Sequence, residues 1–140
     1  ALFFPSQASL GRLLDRIRGC RRSLDICVFS ITHDRLAEAV VEAHRRGIPV
    51  RLLTDVDKTL DRGSDVLDLA RAGVPVRTDT TESLMHNKFA IFDGDVLATG
   101  SYNWTRSATR ANQENILVTD DPRLVEAYRA EFDRLWEMFG

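Results

Sequence analysis

Met85-His86-Asn87-Lys88-Phe89-Ala90-Ile91-Phe92-Asp93-Gly94-Asp95-Val96-Leu97-Ala98-Thr99-Gly100-Ser101-Tyr102-Asn103 is the stretch that decides how this chain folds. Phe89 to Phe92 is apolar and rich in strand formers. Asp93-Gly94 signals a hairpin, because a tight turn needs positive φ. Val96 to Thr99 returns as a second strand. Side chains two apart in a strand share a face, so His86 and Lys88 point the same way. With Asp93-Gly94 as the loop, His86 lies opposite Ser101 and Lys88 opposite Thr99. With Gly94-Asp95 as the loop, His86 lies opposite Asn103 and Lys88 opposite Ser101. Either register gathers His86, Lys88 and a polar residue of 100–103 on one face. Asp93 has the other parity and is expected to support the hairpin or a subunit contact.

Such a face has a definite chemistry. An imidazole serves as nucleophile or general base near neutral pH. An ammonium two residues away neutralises an anionic oxygen. A hydroxyl and an amide add hydrogen-bond partners. Together they suit attack on a phosphate ester. A lone His-x-Lys would more simply be a polar surface hairpin, but the full spacing is far more specific.

That spacing is His86-x-Lys88, four residues, Asp93, six residues, Gly100-Ser101-x-Asn103. It resembles the signature of the phospholipase D superfamily, in its single-motif branch of bacterial endonucleases and mitochondrial Zucchini-type proteins. Further shared stretches are Leu2-Phe3-Phe4-Pro5-Ser6-Gln7, Ser23-Leu24-Asp25-Ile26-Cys27-Val28-Phe29, Gly100-Ser101-Tyr102-Asn103-Trp104-Thr105 and Glu114-Asn115-Ile116-Leu117. The small zinc-finger insert that animal Zucchini-type proteins often carry is not found between Gln7 and the helix pattern that follows it. The resemblance implies a phospholipase D-like α/β/α sandwich with a mixed β-sheet. It implies metal-independent hydrolysis through a phosphohistidine, with no cofactor. It also implies that Glu114 hydrogen-bonds His86 and orients it. The chemistry needs two histidines and the chain has one motif. The expectation is therefore a two-fold homodimer with two copies each of His86, Lys88, Ser101, Asn103 and Glu114 in a composite site. Asp93 completes the motif.

Composition bounds the rest. A chain of 140 residues suits one domain over 1–140 with a sizeable core. No run of about 18 apolar residues appears, and no secretory signal. The expected location is the cytoplasm, or the mitochondrial outer membrane should an anchor precede Ala1. Net charge is −2, which gives no global basic field for a polyanion. Residues 1–50 nevertheless hold eight Arg against five acids. Arg12, Arg16, Arg18, Arg21 and Arg22 read as a solvated helix face. Arg106 and Arg110 follow the motif directly and are the expected substrate phosphate contacts. Cys20 and Cys27 have neither metal nor redox spacing and read as reduced thiols.

In chain order, Leu2 to Phe4 reads as a strand, and Ser9 as the cap of a helix through Leu10, Leu13, Leu14 and Ile17. Leu24 to Phe29 is a buried strand. Thr32 or Asp34 caps a helix that Gly47 stops. Val50 to Leu53 is a strand, 64–72 a helix, Val74 to Val76 a strand and 78–83 a polar loop. Residues 104–112 read as helical or irregular, with Trp104 packed beneath the site. Glu114 to Val118 is the last strand, and Pro122 opens a long amphipathic helix. Strands alternating with helices indicate an α/β sandwich. His33 and His44 begin no His-x-Lys and read as structural or solvated.

The leading expectation is a metal-independent phosphodiesterase, an endonuclease acting on single-stranded DNA or RNA; the alternatives are a hydrolase of cardiolipin-type lipids and a non-catalytic or gated phosphate-binding module. The intact motif favours the first two over the third.

Overall fold

The computed structural model describes residues 1–56 and 63–140. Its described elements, in order, are β1 (Leu2–Phe4), α1 (Gln7–Arg18), β2 (Leu24–Val28), α2 (Asp34–Arg45), β3 (Val50–Asp55), α3 (Val66–Arg71), β4 (Val76–Asp79), β5 (Lys88–Phe92), β6 (Val96–Gly100), α4 (Arg106–Arg110), β7 (Glu114–Thr119) and α5 (Pro122–Met138). The strands form one mixed sheet in the order β1-β7-β6-β5-β2-β3-β4. β2, β3 and β4 run parallel, and β5, β6, β7 and β1 pair antiparallel.

Alternate residues of each strand enter two cores. Leu24, Ile26 and Val28 of β2 join Ala90 and Phe92 of β5 beneath Leu10, Leu13, Leu14 and Ile17 of α1 and Val40 of α2. Cys27, Leu53, Phe89, Ile91 and Leu97 meet Val125, Phe132 and Leu135 of α5 on the other face. This is the α/β/α layering that the alternating pattern indicated. Each such buried aliphatic or aromatic side chain contributes about 1.5–3 kcal/mol. Arg51 of β3 ties the α5 layer down. It forms two bonds to the Asp25 carboxylate, at 2.8 and 3.0 Å, and reaches Asp133 at 3.0 Å. Its guanidinium also lies 4.7 Å from the Phe132 ring centroid.

Several boundaries differ from the sequence reading. Ser6, not Ser9, caps α1: its extended backbone lets the hydroxyl accept the Ser9 N–H at 3.1 Å. Ser9 sits inside the first turn and donates to the Phe3 carbonyl. His33 occupies the cap position of α2. The N–H groups of Thr32 and His33 both bind the Trp104 carbonyl, which fixes the backbone there and leaves Asp34 in the first helical turn. β4 begins at Val76 rather than Val74, since the backbone of Val74 and Gly73 closes the end of α3.

The hairpin register is also corrected. Phe92 pairs with Val96 and Phe89 with Thr99, so the loop is Asp93-Gly94-Asp95. Neither two-residue loop forms. Asp93 and Gly94 do have positive φ, 57° and 71°. Asp93 is held by the backbone of 21–23 and Asp95 by Arg22, which keeps both out of the ladder. Continuing the count puts Lys88 across from Gly100.

Candidate active site

Five of the residues singled out from sequence, His86, Lys88, Ser101, Asn103 and Glu114, lie at one end of the sheet. β2 and β5 are antiparallel, with Val28 opposite Lys88. The end of β2 therefore lies beside the start of β5. β6 ends at Gly100, and its antiparallel neighbour β7 starts at Glu114. Phe29, Ser30, His86, Lys88, Ser101, Asn103 and Glu114 thus share the rim at the carboxyl ends of the parallel strands. Open α/β sheets place their sites in that position.

His86 is exposed and Lys88 half-buried. Lys88 Nζ lies 3.2 Å from His86 Nδ1 and donates to the His86 carbonyl at 2.9 Å. A charged ammonium only donates, so Nδ1 accepts and a neutral ring carries its proton on Nε2. Burial pushes the Lys88 ammonium below its ordinary value, and the nearby Glu114 carboxylate partly offsets this. The His86 ring is 4.9 Å from the Phe29 ring. Asp55 Oδ2 accepts the Met85 N–H at 2.7 Å and pins the approach to His86.

The opposite wall is held just as closely. Ser101 Oγ donates to Glu114 Oε1 at 2.6 Å and accepts the Asn115 N–H at 3.1 Å. Asn112 Nδ2 reaches Glu114 Oε2 at 3.4 Å. The expected bond from Glu114 to the His86 ring is not formed within one chain: both carboxylate oxygens are engaged by Ser101 and Asn112. Asn103 Oδ1 accepts the Ser30 N–H at 3.3 Å. Gly100 allows the close approach of β6 to β7, because a Cβ there would lie 2.1 Å from the Asn115 carbonyl oxygen. Trp104 is buried behind the rim and bridges Ile31.

Asp93 stands at the far end of the hairpin. Its Oδ1 accepts the N–H groups of Arg21, Arg22 and Ser23. Burial acts to raise its carboxyl, but these three bonds prevail and hold it below the ordinary carboxylate range. A groove of about 660 Å³ opens beside it, lined by Arg12, Asp15, Arg16 and Asp95. That groove mixes opposite charges and holds none of the rim residues, so its size does not mark the chemistry.

Arg106 and Arg110 are exposed on α4. The Arg106 guanidinium packs against Gly63, and its backbone N–H binds Thr32 Oγ1 at 3.2 Å. They flank the rim on the side of β2 rather than meeting His86. His33 is buried among their charges; burial first, then Arg110, lowers its imidazole. His44 is half-buried beside Gly73. Cys20 and Cys27 are both free and buried, and burial pushes the Cys27 thiol up to about 12. Among the described residues no group of three His, Cys, Asp or Glu side chains is placed to hold a metal ion. The sequence reading left Phe29, Ser30 and Asn112 without a role. Only their position after β2 and before β7 could have hinted at one.

Comparison with known proteins covers most of the chain. The family profile described as "Cardiolipin synthase, PLD-like domain" matches residues 13–136. The mitochondrial cardiolipin hydrolase of Chlamydomonas reinhardtii is 47% identical over 131 residues, covering 94% of this chain and 59% of that protein. The mitochondrial cardiolipin hydrolase of Homo sapiens is 44% identical over 134 residues, covering 96% and 53%. The chain therefore spans between half and three fifths of the length of these relatives. Among solved structures, Nuc of Salmonella typhimurium, described as a phospholipase D family member, aligns with a TM-score of 0.88 at 27% identity, covering 97% of this chain and 91% of that one. NucT from Helicobacter pylori aligns with a TM-score of 0.88 at 25% identity, covering 96% and 94%.

Proposed function

This chain belongs to the phospholipase D-like domain family, and from that premise we propose that residues 1–140 form the catalytic domain of a phosphodiesterase that works as a homodimer. The observation that supports the reading is the rim itself, where His86 and Lys88 stand at the same end of the sheet as Ser101, Asn103 and Glu114. His86 Nε2 of one copy attacks phosphorus. An N–P bond forms and the P–O bond to the leaving group breaks. The leaving oxygen takes a proton from His86 of the second copy. That imidazole then accepts a proton from water, whose oxygen attacks phosphorus and releases the first His86. Lys88 and Asn103 of each copy bind the non-bridging oxygens and stabilise the charge that builds there.

The Lys88 contact at Nδ1 belongs to a neutral ring protonated on Nε2. The copy that acts as acid is an imidazolium with protons on both nitrogens, and the attacking copy carries its single proton on Nδ1. In both, Lys88 turns from the ring to the phosphoryl oxygens. A single chain offers one such histidine, and in-line displacement requires groups on both sides of phosphorus. Phe3, 67% exposed, and Leu117, 50% exposed, lie on the sheet face that also carries Asn115, beside Ser101. This apolar surface is where a second copy would dock. Arg51 and Arg77 on the α5 side are already engaged, with Asp25, Asp133 and the Trp136 carbonyl.

The proposed substrate is single-stranded nucleic acid, supported by the exposed guanidinium groups of Arg106 and Arg110 flanking the rim. Hydrolysis of a cardiolipin-type lipid is the second reading, favoured by the names of the curated relatives and by Leu84, 53% exposed two residues before His86. On that reading the domain works at a mitochondrial membrane surface. No helix among the described residues is long and apolar enough to cross a membrane. The test is cleavage of labelled single- and double-stranded DNA, RNA and cardiolipin vesicles in EDTA, with His86→Asn in parallel. Cleavage of single strands by the wild type alone supports the first reading, and lipid cleavage alone supports the second. Activity retained by His86→Asn overturns both.

A further inference from the structure

We infer that Phe29 is the positioning residue for His86 and Lys88, an inference that rests on the catalytic reading above. Phe29 follows the last residue of β2, and its side chain belongs to neither core among the described residues. It is half-buried at the rim instead. Its ring meets the His86 imidazole at 4.9 Å, tilted by 53°. That separation is within the range for favourable aromatic contact. The same ring lies 5.9 Å from Lys88 Nζ, at the reach of a cation–π interaction.

The backbone around Phe29 explains why the ring stays put. Its carbonyl accepts the Thr54 hydroxyl at 3.0 Å, and Thr54 is fully buried in β3. The next N–H, that of Ser30, holds Asn103. One dipeptide at the end of β2 therefore seats three rim side chains: imidazole and ammonium on the Phe29 ring, amide on the Ser30 N–H.

His86 needs such a seat. It is exposed, and among the described residues no carboxylate hydrogen-bonds its ring. Lys88 is a flexible chain whose ammonium hydrogen-bonds only His86 among the described residues. A flat apolar ring beneath both narrows the imidazole's rotation and the range of the ammonium. It also takes one side of the ammonium out of water. Misplacement of reacting groups by about 1 Å costs on the order of a hundredfold in rate. The loss of the ring should therefore appear in kcat more than in KM.

The test compares wild type with Phe29→Leu, Phe29→Met and Phe29→Tyr. Two apolar replacements are used so that poor folding of one leaves the comparison intact. Turnover of the cleaved substrate is measured together with the ring-nitrogen NMR shifts of His86. The expected result for Leu or Met is a fall in kcat of roughly ten- to a hundredfold with KM little changed. The His86 nitrogen shifts should move toward those of a freely averaging imidazole. Phe29→Tyr keeps the ring and should restore both. Wild-type kcat and wild-type ring shifts in the Leu or Met variant would overturn the inference. If the wild type cleaves nothing, the catalytic reading fails, while the NMR comparison still decides whether Phe29 seats His86.

Discussion

Ser101 donates its hydroxyl proton to Glu114 at 2.6 Å while accepting the Asn115 N–H, so one side chain binds the end of β6 to the start of β7. The carboxylate it holds is also the one that interacts with Lys88 across the rim. Ser101→Ala removes the hydroxyl and leaves Glu114 with only the longer Asn112 contact. Turnover should fall about tenfold with little loss of folding, since the pair is exposed and worth about 1 kcal/mol to stability. Steady-state kinetics and a thermal melt on the same samples check this.

Gly100→Ala should do the reverse, harming the fold and the site together. The new Cβ would collide with the Asn115 backbone, which cannot rotate away as a side chain can. Separation of β6 from β7 should cost about 1–3 kcal/mol. A lowered melting temperature together with lost activity is expected. An unchanged melt would mean that the two strands can part freely.

Asp93 gives a prediction with a direction in pH. Its carboxyl is held below the ordinary range despite burial, by the Arg21, Arg22 and Ser23 N–H groups. A depressed carboxylate contributes stability above its unfolded pKa, near 4. That contribution is lost as pH falls through the lower folded value. Asp93→Asn should therefore melt lower at pH 7 and lose less on acidification than the wild type. Turnover per folded molecule should be unchanged, because Asp93 sits at the far end of the hairpin from His86. Melts at pH 7 and at pH 3 measure it.

Asp65 runs the other way. Burial first, and then the neighbouring Asp34, raises its carboxyl to about 7. Between about pH 4 and pH 7 the folded chain keeps a proton that the unfolded chain has released. Stability from this group is fully present below that window and falls as pH rises through it. The urea midpoint should drop between pH 5 and pH 8, and Asp65→Asn should flatten the drop.

The mixed sheet and the β5–β6 hairpin were legible in the sequence because alternation and turn residues are local signals, whereas His86, Lys88, Ser101, Asn103 and Glu114 were singled out by the motif they resemble. Asp93-Gly94 does turn with positive φ, and Pro122 does open a long helix. What was not legible depends on partners distant in sequence. The three-residue loop follows from Asp93 and Asp95 being drawn to residues 21–23, about seventy positions away. The cap at His33 follows from the Trp104 carbonyl. The pairing of Glu114 with Ser101 and Asn112, and the placing of Phe29 beneath His86, likewise need the strand order before they can be seen. The packing of the Arg106 guanidinium against Gly63 is also a contact between segments distant in sequence.

The most direct test of the central claim is capture of the covalent intermediate. Substrate labelled at the scissile phosphate is mixed with protein in EDTA and denatured by alkali during turnover. The account predicts label on His86, stable to base and released by acid, and none on His86→Asn. Rapid cleavage with no labelled protein, or label on another residue, would contradict it.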